Sequence, residues 1–225
     1  GIRQAGAEGQ AEGSCEVSLE LVQGSPEWLA ARVGSVGASR ISDIIAKTKT
    51  GFSTSRANYA AELVCERLTG NPTETFKSAA MVWGTEKEPD ARAAYEFIHD
   101  ATVELVGLVK HPRIAGAHAS PDGYVGSDGL VEIKAPISAT HIDTLLTQKV
   151  PDKYVVQMLW QMSVTGRQWA DYISFDPRCP PHLQLFVKRI PRDDVRIAEL
   201  EKEVRSFLAE VDDTLAKLAK LDRAA

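Results

Sequence analysis

Hydrophobic positions recur with two different periods along the chain, and the change falls near residue 100. Before it, apolar residues return every three or four positions, the period of helices with one buried face. Ser25 followed by Pro26, Glu27 and Trp28 is a helix start, and "PEWLAARVG" predicts a short helix that stops at Gly34. "GASRISDIIAKT" puts Ile41, Ile44 and Ile45 on one face of a second helix. "TSRANYAAELVCERLTG" predicts a third, closed by Gly70, because glycine suits the left-handed residue after a helix. A fourth helical stretch covers about 78 to 98, with a break expected at Pro89, since proline disfavours helix at the preceding Glu88.

After residue 100 the pattern turns to short strands rich in β-branched residues and separated by turn residues. They are "TVELVGLVK", "RIAGAHA", "LVEIKAP", "ADYISFD" and "LQLFVKRI". Two helices, at about 138–147 and 152–165, lie between the third and fourth strands. A last helix from about Arg192 to Leu221 carries an apolar stripe of Leu200, Val204, Phe207, Leu208 and Val211. This order predicts an α/β fold, a mixed sheet flanked by helices. Residues 1–19, rich in Gly, Ala and Glu with no apolar period, read as a disordered tail before a single domain over 20–225.

Composition changes the picture in three ways. No apolar run approaches the roughly 20 residues of a membrane span, and no signal-peptide core is expected at the N-terminus. Cys15, Cys65 and Cys179 are scattered, so a zinc or iron–sulfur site is not expected and free thiols in a reducing cytoplasm are. The net charge of −5 argues against a protein that coats nucleic acid by bulk electrostatics, so any such contact must use local basic groups.

The candidate chemistry lies in "ASPDGYVGSDGLVEIKAP". Asp122 sits in a strong turn sequence, and Asp128 in a second. In the strand "VEIK", alternation puts Glu132 and Lys134 on one face and Val131 and Ile133 on the other, towards a core. Two acids and a lysine converging there suit metal-assisted phosphodiester hydrolysis. Carboxylates hold Mg²⁺, and the lysine positions a water or offsets charge on phosphate. The same residues also describe a solvated hairpin. Upstream, Glu88 shares a helical face with Ala91, Ala94 and Tyr95; it is either an acid seeking a metal or one favoured by a helix start. Downstream, Gln157 and Gln161 share a face with Tyr154 and Thr165, which reads as an ordinary solvated face.

Taken together, W-G-x3-E (83–88), S-P-D-G (120–123), E-I-K (132–134) and the glutamine helix resemble the phage λ exonuclease group. These are YqaJ-type viral recombination nucleases of the PD-(D/E)xK superfamily. The opening W-x3-R-x-G-x3-A-S (28–39) and "VTGRQWADYISFDPR" fit the same family, over roughly residues 24 to 215. The resemblance implies a restriction-endonuclease-like core with a central mixed β-sheet. It implies 5′-to-3′ degradation of one strand of linear duplex DNA by a ring-shaped homotrimer, leaving a 3′ overhang for a single-strand annealing protein. It implies two Mg²⁺ ions, replaceable by Mn²⁺, and a phage or prophage gene product in the cytoplasm of a bacterial host.

By position, the resemblance makes Asp122, Glu132 and the main-chain carbonyl of Ile133 metal ligands, with Glu88 at a second metal. Lys134 becomes the catalytic lysine, and Gln157 orients groups beside it. Arg32, Ser39 and Ser120 grip the 5′ phosphate, as a fork of donors and hydroxyls suits that dianion. Lys49 stands where the family places a further basic residue. Met81 matches an apolar wedge between terminal base pairs, against the alternative of a core methionine. Asp128 falls to a turn residue. The chain departs from the family pattern at Pro89 and at Gln161, where a tyrosine is common. His111 and His118 are left outside the metal set. Two other readings stay open: another endonuclease or repair nuclease of the superfamily, and a catalytically idle module that binds DNA ends.

Overall fold

The computed structural model describes residues 17, 18, 21–49, 51–73 and 78–221. The tail expected over 1–19 lies outside the described residues, apart from the strand β1 (Val17–Ser18). Then come α1 (Pro26–Arg32), β2 (Val36–Gly37), a 3₁₀ turn (Ala38–Arg40), α2 (Ile41–Ile45), β3 (Lys47–Thr48), β4 (Gly51–Phe52), α3 (Thr54–Thr69) and α4 (Ala79–His99). The strand-rich part holds β5 (Val103–Glu104), β6 (Leu108–Lys110), β7 (Ala117–Ala119), β8 (Gly123–Val125) and β9 (Gly129–Lys134). The chain continues through α5 (Ser138–Thr147), α6 (Asp152–Thr165), β10 (Trp169–Phe175), a second 3₁₀ turn (Pro181–Leu183), β11 (Leu185–Pro191) and α7 (Asp194–Leu221).

Local chemistry accounts for the helix ends. The Ser25 hydroxyl accepts from the Trp28 N–H and caps α1. Gly70 and Gly166 take φ values of 70° and 75° after α3 and α6, a region costly for residues with a Cβ. Pro89 does not break α4, contrary to expectation; the helix runs through it. Proline removes one N–H from the helical ladder, but Pro89 and the residue four before it, Thr85, are both exposed, so the freed carbonyl faces water.

The expected mixed sheet is five-stranded, in the order β11-β10-β9-β8-β5. Only β9 and β10 run parallel, joined by the crossover through α5 and α6. The stretches expected to form its first two strands are divided. "TVELVGLVK" splits into β5 and β6, and β6 and β7 belong to a second sheet of order β1-β6-β7-β2. The segment leading into "VEIK" carries turn signals at Asp122 and Asp128, and between them Gly123–Val125 forms the short strand β8. A Cβ on Gly123 would lie 2.2 Å from Val103 Cγ1, so this strand approaches β5 only because position 123 is glycine.

Strand β9 is buried on both faces. Its Val131 and Ile133 pack with Ala91, Tyr95, Ile173 and Phe175 in a small core under α4. Leu130 joins a larger core with Trp160, Tyr172 and Phe207, closed by α3, α6 and α7. Glu132 therefore points into protein, not into water, and the solvated-hairpin reading fails.

Candidate active site

The chain passes between the two sheets at residues 120–122, from β7 to β8. Gln23 Nε2 pins this crossing to the one between β5 and β6, donating to the carbonyls of Pro121 and Val106, each at 2.8 Å. Beyond the crossing, β8 pairs with β9 only as far as Val131. Asp122 takes over the edge thus opened: its Oδ2 accepts from the Ile133 N–H at 2.6 Å. In an extended strand the N–H and C=O of one residue face the same side, so the Ile133 carbonyl looks towards that edge as well.

Glu132 is 0% exposed, and donors surround its carboxylate. Oε1 accepts from Gln157 Nε2 at 2.7 Å and from Lys134 Nζ. Oε2 accepts from Gln161 Nε2 at 2.6 Å. The face of α6 that reads as solvated is thus the face that serves Glu132. Gln161, which the sequence places on that face and marks as a departure from the family pattern, is fully buried, and its Oε1 lacks a hydrogen-bond partner among the described residues.

The electrostatics follow from crowding. Burial, then the neighbouring Glu132, pushes the Asp122 carboxyl well above its usual range, while Lys134 pulls it back. Glu88, partly buried on α4, is raised by burial, with Lys134 and Arg92 opposing. Burial works against the Lys134 ammonium, but Glu132 and Asp122 outweigh it and hold its pKa above the ordinary lysine value. One lysine thus faces three carboxyl groups. Burial above all, and the neighbouring carboxyl groups after it, raises Asp122 and Glu88.

Beside this group lies a cleft of about 190 Å³, lined by Trp28, Arg32, Ser39, His118, Ser120 and Gln157. Arg32 ends α1 over the Trp28 ring, 4.0 Å from its centroid, and Trp28 Nε1 donates to Ser120 Oγ at 3.0 Å. Burial draws the Arg32 guanidinium below its ordinary value; among the described residues it makes no ion pair. Arg32, Ser39 and Ser120, far apart in sequence, are therefore brought together. Gln157 belongs to both places, since it lines the cleft and donates to Glu132.

The remaining expected residues divide. Met81 is 53% exposed in the first turn of α4, so it is not a core methionine. It lines a neighbouring cavity of about 450 Å³ that shares Arg32 and Ser39 with the cleft. Lys49 is exposed beside the β3–β4 hairpin and lines neither space. Asp128 is an exposed turn residue whose carbonyl accepts from Gln168 N. His111 turns away to Ser163 and Glu201, and His118 bonds Arg32 and Ser35, a contact that sequence patterns do not signal.

Residues 27–168 match the model of the YqaJ-like viral recombinase domain. An alkaline exonuclease from Laribacter hongkongensis is 49% identical, with a TM-score of 0.84 over 89% of this chain and 100% of that one. Its complex with dAMP matches equally well. A phage-related exonuclease from Haemophilus somnus shares the fold at 17% identity, with a TM-score of 0.66 over 82% of this chain and 96% of that one. No curated protein matches the chain. The chain belongs to the YqaJ-like viral recombinase family, whose nucleases hydrolyse DNA on a restriction-endonuclease-like fold.

Proposed function

We propose that the protein is a metal-dependent 5′-to-3′ exonuclease that degrades one strand of linear duplex DNA from a 5′-phosphorylated end and leaves a 3′ overhang. The observation that carries this reading is Gln157, which joins the cleft holding Arg32 to the carboxylate of Glu132. An exonuclease needs that adjacency, because the terminal phosphate and the scissile phosphodiester belong to neighbouring nucleotides. An endonuclease does not need an end-binding cleft, and an idle binding module does not need buried acids beside phosphate. The dAMP complex of the Laribacter exonuclease supports a nucleotide monophosphate as the product here too.

The side chains present fit a divalent cation. Among the described residues no three His, Cys, Asp or Glu side chains form a ready-made metal site. The donors in reach are two carboxylates, Asp122 and Glu132, and the Ile133 carbonyl, with Glu88 nearby. Such a hard-oxygen set suits Mg²⁺, which keeps several of its waters, and Mn²⁺ as a substitute. The orphaned Gln161 Oε1 and the raised Asp122 and Glu88 also call for hydration water and for positive charge. Bound there, two ions would acidify an attacking water and neutralise charge on the phosphate.

The residues of the chain do the positioning. Gln157 and Gln161 lock the Glu132 carboxylate in one orientation. Lys134 lies beside the two acids, where it orients the nucleophile and stabilises negative charge on phosphate. Arg32, with Ser39 and Ser120, receives the 5′ phosphate. Met81, exposed at the rim, packs against the terminal base pair as a wedge. Lys49 offers an outer contact to the DNA backbone. The family context supports a homotrimer that encloses DNA, a single-strand annealing protein as the recipient of the overhang, and action in the cytoplasm of a phage-bearing bacterium. No described helix is long and apolar enough to cross a membrane.

The test compares wild type with Lys134→Ala on linear duplex DNA, with Mg²⁺ or with chelator. Nucleotides should be released from 5′-phosphorylated ends only with metal and Lys134, and the variant should fall by at least about a hundredfold. Cutting of closed circles would point to an endonuclease instead.

A further inference from the structure

We propose that His118 is a positioning residue for the end-binding cleft, holding the Arg32 guanidinium at the angle that offers its terminal nitrogens to the 5′ phosphate. The inference rests on the reading of Arg32 as a phosphate ligand.

The contacts form a closed circuit. Arg32 Nε donates to His118 Nε2 at 3.3 Å, His118 Nδ1 lies 2.8 Å from Ser35 Oγ, and Ser35 Oγ donates to the Arg32 carbonyl at 2.8 Å. One proton arrangement satisfies all three. Arginine has no acceptor, so Nε2 must accept; the ring then carries its proton on Nδ1 and gives it to Ser35. A single imidazole is thereby tied to both the backbone and the head group of Arg32. Burial, with Arg32 adding to it, holds the ring's pKa at about 3, so it remains an acceptor. The Trp160 indole fixes the backbone behind it, with Nε1 donating to the His118 carbonyl at 3.1 Å. With Nε engaged and one face of the guanidinium on Trp28, the terminal nitrogens remain for an anion.

The neighbouring strand makes room for this pair. Gly37 stands in register with His118 across β2 and β7. Its φ of −96° is open to any residue, so glycine is not needed there for conformation. A Cβ would lie 3.0 Å from His118 Nε2 and 3.6 Å from Arg32 Nη2, so it is needed for space. The choice of acceptor also has a reason. A carboxylate in this place would cancel the charge of Arg32 and compete with phosphate, whereas a neutral imidazole orients the cation and leaves its charge intact.

The experiment measures steady-state degradation of linear duplexes with 5′-phosphate or 5′-hydroxyl ends by wild type, His118→Ala, His118→Gln and Gly37→Ala. Wild type should prefer phosphorylated ends. His118→Ala should raise KM for them by about tenfold to a hundredfold, more than it lowers kcat, and shrink the preference equally. His118→Gln, whose amide oxygen reaches the Nε2 position, should recover most of the preference. Gly37→Ala keeps the imidazole and should raise KM by a smaller factor, which keeps the test decisive if His118→Ala does not fold. If wild type prefers phosphorylated ends and His118→Ala and Gly37→Ala retain that preference, His118 has no positioning role and the Arg32 reading stands. If wild type ignores the phosphate, the Arg32 reading itself falls, and this inference with it.

Discussion

Two histidines are buried beside arginines. Burial lowers His118 to about 3, with Arg32 adding to it, and His111 to about 4, where Glu201 opposes burial and Arg113 and Arg205 add to it. In the unfolded chain both return to the ordinary value near 6.5. Between those limits the unfolded state binds more protons than the folded one, so stability rises with pH and is lost as pH falls below about 6.5. Each group accounts for up to about 1.4 kcal/mol per pH unit. His118→Gln should therefore flatten the fall in urea-unfolding free energy between roughly pH 6 and 4.5, whatever its effect at pH 7. A parallel curve for variant and wild type would show that the ring titrates normally in the folded state.

At the scale of elements, α4 and β9 carry the acids, and each holds an exception to local rules. Proline in a helix interior costs about 3 kcal/mol against alanine. Pro89 is tolerated on the exposed side of α4, so Pro89→Ala should raise the unfolding free energy by about 1 to 3 kcal/mol, read from urea midpoints. If Pro89 also sets the path of Glu88, the stabilised variant will lose nuclease activity at low Mg²⁺ concentration and regain it at high. In β8 the exception is Gly123. Gly123→Ala should cost about 1 to 3 kcal/mol through the clash with Val103, and a neutral result would mean that β5 yields easily.

At the scale of the molecule, the site depends on two cores meeting at β9. The small core under α4 places Glu88, and the large one places α6 with its two glutamines. α7 closes the large core: Val204, Phe207 and Val211 are fully buried, and Glu210 pairs with the buried Arg56 through Oε1 at 2.6 Å. Phe207→Ala should cost about 3 to 5 kcal/mol in urea unfolding, with catalytic constants little changed while the protein stays folded. The proposed ring is tested by light scattering. A trimer mass at micromolar concentration is expected, and a monomer would exclude processive action by enclosure.

What the sequence determined by itself was what short-range physics controls. Helix caps, the stripe of α7, the alternation through Val131, Glu132, Ile133 and Lys134, and the order of motifs along the chain were all legible. So were Arg32, Ser39, Ser120 and Gln157 as members of one neighbourhood, though only through resemblance to a family. Tertiary structure alone decided which faces were wet. Gln157 and Gln161 look solvated on a helical wheel, and only the packing of α6 over β9 turns them onto Glu132. Met81 reads in the sequence as a wedge or as a core residue, and only the placement of α4 puts it at the rim. The division of "TVELVGLVK" between two sheets depends on partners elsewhere in the chain, as does the strand at Gly123. The contact between His118 and Arg32 spans 86 residues and leaves no local pattern. Periodicity records how a segment folds onto itself, but a hydrogen bond between distant side chains exists only once the cores have set the distance.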